Sequence, residues 1–474
     1  MTGINFLTGF IKNKIYSIYL GLSGLGVISQ FTSSISFLNY LLPLGFPVGI
    51  TKLIAQSGEK DKHYINDIIY TSIIVLILPV FISFILTFVF SNELSVFLFN
   101  EDIYAGYIKV LSIFFPFIVL FSMLEAIYKG LGNISLYVKT LILSSLISLV
   151  ITVPLVIFWG ITGAVYGLTV NYIFFVIYSI IKFRKASILS FDLKPFKINR
   201  DVLNQIVKIG SAFLIAGALY QLTLLIIKRM VIEKYGLDGS GLFQSILNIS
   251  LFYFGFIFTS MSSYTFPKIA NMNNDSDLNN ELNSTVRFIT LVMVPLILIL
   301  IVFRYIIILF LYTSDFLIAE PFFQYQFLGD FFKALSWVLG IWLIPRSKIF
   351  YFLFFDILLN LNLIIVFQLI LDHTDLGLKG VSLAYLTAYI IHFLLNLILS
   401  RRIIGFKFTI KNLQLIISSI IIMVGSTYIS FQNNIYGYIL FLPIFLIWLF
   451  FNLKISEMKK MKIMVRNYLK SKNI

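Results

Sequence analysis

Two positively charged residues stand at matching places in apolar stretches of the chain. Lys14 precedes Gly21 by seven residues, and Arg229 precedes Gly236 by the same seven. A charge at membrane depth costs about 2.5–3.5 kcal/mol on insertion scales and usually marks a cavity or a partner. Two such cations around a shared, water-filled space would attract an anion, and phosphate or diphosphate is the commonest anion with a large body attached. The pair therefore predicts an anion-binding cavity.

Other charged residues extend this predicted site. As substrate-binding residues we predict Lys14, Arg229, Lys228, Lys12 and Arg304. As ion-coupling residues we predict Glu125 and Asp356, and two further charges at membrane depth are Asp330 and Lys333. Lys12 and Lys14 lie about 200° apart around a helix, so they cannot both face one cavity.

As an alternative to lining a cavity, each of these charged residues could form an ion pair that only stabilises the fold. Arg229 and Glu233 are four residues apart, as are Glu125 and Lys129. Opposite charges at that spacing are neighbours on a helix surface and can neutralise each other. For these residues, pairing and a role in the cavity both stay open at the level of the sequence.

A glycine motif follows both cations and indicates a two-fold repeat. Its glycines fall in the order G-x-x-G-x-G, at Gly21, Gly24 and Gly26 in one copy and at Gly236, Gly239 and Gly241 in the other. A glycine loop that cradles phosphate needs a strand before it, whereas an apolar helix precedes these glycines. We therefore predict tight turns and close helix packing. A two-fold repeat with charges at its midline is typical of transporters.

The composition places these motifs in a membrane. Of 474 residues, 59% are hydrophobic and 12% are charged, and the mean hydropathy is +0.96. Soluble domains carry about 25% charged residues, and no polar stretch is long enough to form a separate soluble domain. There is no cysteine, and the three histidines are scattered, so we expect neither a metal site nor a cofactor.

Apolar runs between polar breaks predict an all-α integral membrane protein with about 14 transmembrane helices. The expected spans are 3–20, 28–55, 68–90, 108–130, 136–159, 164–182, 206–235, 241–267, 286–310, 325–345, 350–371, 381–399, 413–430 and 436–453. Pro43 and Pro116 predict bends within two of them. The predicted parts are an N-lobe of six helices (1–182), a basic linker (183–205), a six-helix C-lobe (206–400), two further helices (401–453) and a basic tail (454–474).

The distribution of lysine and arginine predicts the orientation. Seven of these residues lie between positions 182 and 208, and seven more lie in the tail after position 453. The segment 91–107 has three acidic residues and no lysine or arginine. By the positive-inside rule, both termini and the linker are cytoplasmic, which an even number of helices allows. The net charge of +15 is thus mostly a topology signal, and we predict no nucleic-acid binding.

The motifs around the two cations resemble those of a known family. Residues 14–30 (KIYSIYLGLSGLGVISQ), 44–46 (LGF) and 49–55 (GITKLIA), with 235–244 (YGLDGSGLFQ) and 266–270 (FPKIA), are similar to Wzx-type O-antigen and polysaccharide flippases. These belong to the multidrug/oligosaccharidyl-lipid/polysaccharide exporter superfamily. The likeness extends over about residues 1–400 through the repeat and the helix layout.

The resemblance implies a fold and a function. It implies a V-shaped pair of six-helix lobes around a cationic cavity, in which Lys14 and Arg229 fit the family's pattern of lumen cations. The implied substrate is an undecaprenyl-diphosphate-linked oligosaccharide, an O-antigen or capsule repeat unit, that moves across the bacterial cytoplasmic (inner) membrane by alternating access. A polymerase and a chain-length regulator of lipopolysaccharide synthesis are implied partners. Helices 13 and 14 exceed the family's twelve-helix core.

Three other functions compete with this one. A drug/cation antiporter would need an acidic cavity, and the paired cations argue against it. A lipid II flippase also has 14 helices and a cationic cavity, so it stays an alternative. An oligosaccharide polymerase or membrane glycosyltransferase would carry its catalytic groups on large outer loops, but no predicted outer loop here much exceeds 20 residues. We therefore expect a transporter and not an enzyme.

Overall fold

The computed structural model describes residues 2–57, 62–185, 198–272, 274–432 and 434–452. Within these ranges every regular element is helical, as the all-α prediction requires. The α-helices are α1 Thr2–Tyr19, α2 Gly21–Leu41, α3 Phe46–Ser57, α4 Lys62–Val89, α5 Ser91–Phe99, α6 Ala105–Ile113, α7 Phe115–Gly130, α8 Ile134–Lys185, α9 Arg200–Ala270, α10 Asp275–Val302, α11 Arg304–Leu311, α12 Phe323–Gly340, α13 Ile349–His373, α14 Leu378–Ile404, α15 Ile410–Gln432 and α16 Asn434–Asn452. A short 3₁₀ helix, Ser314–Phe322, joins α11 to α12.

Two very long helices are broken by a glycine. In α8 the break is at Gly160 (φ 57°), and in α9 it is at Gly236 (φ 69°). Backbone with positive φ is strained for residues that carry a Cβ but is readily adopted by glycine. Both breaks lie where the apolar pattern predicts that one helix ends and the next begins.

The helices are those of a multi-pass membrane protein. Among the described residues, seven helices are long and apolar enough to cross a bilayer, or nine if each bent pair is one span. The bent pairs are α2 with α3, at 48°, and α6 with α7, at 46°; they confirm the bends predicted at Pro43 and Pro116. The total of 14 and the division into lobes stay predictions. Most of the basic linker and the whole basic tail lie outside the described residues.

Helices α2 and α9 meet along a glycine seam. A Cβ atom added to Gly26 would lie 2.2 Å from the carbonyl oxygen of Leu237, and one added to Gly241 would lie 2.1 Å from that of Leu22. The two contacts are equivalent under the repeat, because Gly26 and Gly241 are 215 residues apart, as are Leu22 and Leu237. The motif glycines therefore let the two halves of the repeat touch backbone to backbone, as close helix packing requires.

Candidate functional site

Lys14 reaches from α1 to the second half of the chain. Its ammonium group donates hydrogen bonds to the carbonyl oxygens of Leu309, at 2.9 Å, and of Tyr312. These carbonyls lie at the C-terminal end of α11, where the last carbonyls of a helix have no partner within the helix. A cation is favourable there because the helix dipole places partial negative charge at that end.

Arg229 makes the reciprocal contact from the other half. Its guanidinium lies 4.4 Å from the ring centre of Phe97 on α5, and Phe97 is separated from Tyr312 by the repeat offset of 215 residues. Arg229 is also ion-paired with Glu233, with 2.7 Å between Nη2 and Oε1. The two repeat-related cations thus hold equivalent short helices of the opposite half, and Arg229 is neutralised within its own helix.

Lys228 is a buried cation between α9 and α2. It is 3% exposed, and its ammonium group donates to the hydroxyl of Ser33, at 2.6 Å, and to the carbonyl of Ser29, at 3.1 Å. Lys12 points elsewhere, to the hydroxyl of Ser148 on α8 at 2.8 Å. Among the residues that the structure describes, neither lysine has a carboxylate at ion-pair distance.

The buried side chain of Arg304 is fixed by contacts with neighbouring elements. It is 2% exposed, and its Nε lies 2.6 Å from Oε1 of Glu320. Its Nη2 donates to the carbonyl of Ser430 at 2.9 Å, and the guanidinium lies 4.0 Å from the ring centre of Phe431. This cation therefore joins the start of α11 to the 3₁₀ helix and to α15.

The two predicted ion-coupling carboxylates have different surroundings. Glu125 is paired with Lys129, with 2.6 Å from Oε1 to Nζ, and accepts a hydrogen bond of 2.6 Å from the Tyr137 hydroxyl. Asp356 lines a cavity, and its side chain accepts a bond of 3.4 Å from the amide of Asn360. Asp356 therefore faces a space that can hold a ligand.

That cavity lies inside the second half of the chain. Its volume is about 220 Å³, and α9, α12, α13 and α14 form its walls. Some lining residues, such as Phe266 of α9 and Gly340 of α12, lie near helix ends that the predicted orientation places on the cytoplasmic side. We call this space the C-half cavity. All of its lining residues lie between positions 220 and 396.

Lys333 lines the C-half cavity and is surrounded by aromatic rings. Its ammonium group lies 4.9 Å from the ring centre of Phe254, 5.2 Å from that of Tyr389, 5.8 Å from that of Tyr385 and 6.0 Å from that of Tyr220. In the described part of the chain no carboxylate lies at ion-pair distance from it. Aromatic faces attract a cation without neutralising its charge.

Asp330 lies one helical turn before Lys333 and is engaged by hydroxyl groups. It accepts hydrogen bonds from Ser250, at 2.6 Å, from Tyr385, at 2.7 Å, and from Tyr253. The Tyr385 hydroxyl also accepts a bond of 3.4 Å from Lys333, so it links the two charges.

The sequence shows both charges at membrane depth, but Lys333 has no counterpart in the first repeat, and its aromatic neighbours come from distant helices. Across the described ranges no group of His, Cys, Asp and Glu could hold a metal ion.

Comparisons with known proteins agree with this architecture. A family model described as polysaccharide biosynthesis protein matches residues 20–321. The chain is 24% identical to the lipid III flippase of Escherichia coli (strain K12) over 388 residues, which cover 81% of this chain and 92% of that protein. The lipid III flippase of Shigella flexneri gives the same values.

Two solved structures are similar in fold. The inward closed conformation of the lipid II flippase MurJ has a TM-score of 0.72 and 21% identity, and 98% of each chain is covered. The inward-facing conformation of a multidrug resistance MATE family transporter of the MOP superfamily has a TM-score of 0.70 and 15% identity, with 85% of this chain and 95% of that one covered.

Proposed function

Since the chain belongs to the polysaccharide biosynthesis protein family, we propose that it is a flippase for an undecaprenyl-diphosphate-linked oligosaccharide. The substrate would move from the cytoplasmic to the outer leaflet of the bacterial cytoplasmic membrane by alternating access, with both termini of the protein in the cytoplasm. The similarity to lipid III flippases supports a lipid-linked oligosaccharide as the cargo.

The physical problem is the head group. Sugars and a diphosphate cannot cross about 30 Å of hydrocarbon without losing their hydrogen bonds to water. A protein can replace these bonds with cations and polar side chains while the prenyl chain stays in the lipid. Charge-assisted bonds to the diphosphate are the strongest contacts available for this purpose.

The Lys333 ammonium group carries this proposal. Arg229 and Arg304 each have a carboxylate partner, whereas Lys333 lines the C-half cavity with aromatic rings around it. We assign Lys333 to the diphosphate. Lys228, buried between the halves and bonded only to serine oxygens in the described part of the chain, would be the next cation along the path.

The identity of the glycan is a further part of the proposal. An O-antigen or capsule repeat unit is the proposed cargo, and lipid II is the alternative. The MurJ structure supports that alternative because its similarity extends over nearly the whole chain, including α15 and α16. A polymerase and a chain-length regulator are the proposed partners for a repeat-unit cargo.

A transport assay tests the role of Lys333. Proteoliposomes would hold undecaprenyl-diphosphate-linked oligosaccharide, and an impermeant lectin would detect its appearance in the opposite leaflet. We expect Lys333→Gln to lose most of the transport and Lys333→Arg to retain part of it.

Lys348→Gln is the matched control because Lys348 is exposed in the same half. Normal transport by Lys333→Gln would contradict the assignment of Lys333. Lengthening or transfer of the glycan by the wild type would favour an enzyme.

A further inference from the structure

The C-half cavity has a flat aromatic wall. Trp337 lines it, half-buried, and is stacked on Phe258 with 4.4 Å between ring centres and an angle of 7° between the rings. This stacking covers one face of the indole and holds the ring in one orientation. The negative face of an aromatic ring attracts groups with partial positive charge, and the C–H bonds on one side of a pyranose ring are such groups.

A polar wall of the same cavity has unused hydrogen-bonding capacity. His392 is 8% exposed, and its Nδ1 atom has no hydrogen-bond partner among the described residues. Its Nε2 atom lies 2.8 Å from the amide nitrogen of Asn396, which also donates to Ser336 at 2.6 Å. A buried nitrogen without a partner costs about 1–3 kcal/mol, so a ligand that bonds to Nδ1 would recover this free energy.

The size and position of the cavity limit the ligand. At about 220 Å³ the cavity is smaller than the roughly 300–1,000 Å³ of sites for drug-sized molecules, and a single ring fits it better than an oligosaccharide. Trp337 lies four residues after Lys333, which is about 6 Å along the helix. A ring on Trp337 would therefore be the group directly attached to a phosphate bound at Lys333.

From these observations we propose that the C-half cavity is a subsite for the one sugar that is bonded to the diphosphate. The ring would stack on Trp337, and its hydroxyl groups would bond to His392 and Asp356. This subsite rests on the proposed flippase function and makes the C-half cavity the place where the first sugar of the glycan is selected. Under the predicted orientation the subsite opens toward the cytoplasm, where the substrate is loaded.

Equilibrium binding to the purified full chain tests the subsite. The probes are radiolabelled undecaprenyl diphosphate without sugar and the same lipid with one glucose, galactose or N-acetylglucosamine. We expect at least one sugar-bearing probe to bind wild type about fivefold more tightly than the sugar-free lipid. Trp337→Leu should remove this difference and Trp337→Phe should keep most of it. Trp159→Leu is the control because Trp159 is 59% exposed in the other half.

A second variant and the sugar-free probe separate the possible outcomes. His392→Leu should also reduce the sugar-dependent difference, whereas Lys333→Gln should weaken the binding of every probe. Equal affinity of wild type for all four lipids overturns the subsite while leaving the flippase proposal intact. Equal weakening of all probes by Trp337→Leu also overturns it, because the ring then contacts the lipid or supports the fold. If wild type binds none of the lipids, the flippase proposal fails as well.

Discussion

Replacing Gly241 with alanine should force α2 and the second part of α9 apart. The added Cβ atom would lie 2.1 Å from the carbonyl oxygen of Leu22. A carbon and an oxygen that are not bonded need about 3.2 Å, so the two backbones must separate by about 1 Å. A backbone carbonyl within a helix cannot rotate away as a side chain can, and the strain therefore falls on the packing between the halves.

The cost can be estimated from overpacked protein interiors. Inserting a methyl group into a closely packed contact typically costs about 1–3 kcal/mol, which corresponds to a factor of about 5–150 in an equilibrium constant. Only arrangements in which the two helices touch carry this cost. We therefore expect Gly241→Ala to shift the population toward arrangements in which the seam is open.

Spin-label distances can measure this shift. The chain has no cysteine, so labels attach only at introduced cysteines, such as Asp102→Cys and Asp315→Cys at exposed positions of the two halves. In proteoliposomes we expect a longer-distance population to grow in Gly241→Ala. Gly425→Ala is the matched control because no atom lies within 4 Å of its added Cβ. An unchanged distance distribution together with an unchanged melting temperature would refute the reasoning.

Three further substitutions test the charged contacts. Glu320→Gln should destabilise the protein by about 1–3 kcal/mol, seen as a lower melting temperature, because Arg304 loses its carboxylate. Lys14→Met should lower transport and lengthen the same spin-label distance, since it removes the bonds to the end of α11. Lys228→Met should slow transport without lowering the melting temperature, because it removes the cost of burying a charge that has no ion-pair partner among the described residues.

Each of these substitutions has its own control. Glu320→Asp keeps the carboxylate and should lose less stability than Glu320→Gln. Lys14→Arg keeps the donors, so an effect as large as that of Lys14→Met would argue against the contact with α11. A large loss of stability in Lys228→Met would show that the bonds to Ser33 and Ser29 are structural and would remove Lys228 from the proposed path.

The sequence alone was sufficient for features that depend on neighbouring residues. Apolar runs long enough to span a bilayer predicted the helices, and the glycines at 160 and 236 divide α8 and α9 where the pattern changes. The offset of 215 residues revealed the repeat. The pairing of Arg229 with Glu233, kept open in the sequence, depends on a four-residue spacing within one helix and is present in the structure.

Only the tertiary structure decided which charges face a cavity. Lys14, for which the repeat predicts a cavity role, donates to carbonyls almost 300 residues away in sequence. Lys333 lines the C-half cavity because α9, α12, α13 and α14 pack around it. The physical reason is that the role of a charged side chain within a membrane protein, as part of an ion pair or of a cavity, depends on the groups within a few ångströms of it. Those groups are brought together by the packing of helices that are distant in sequence, so a local sequence pattern cannot reveal them.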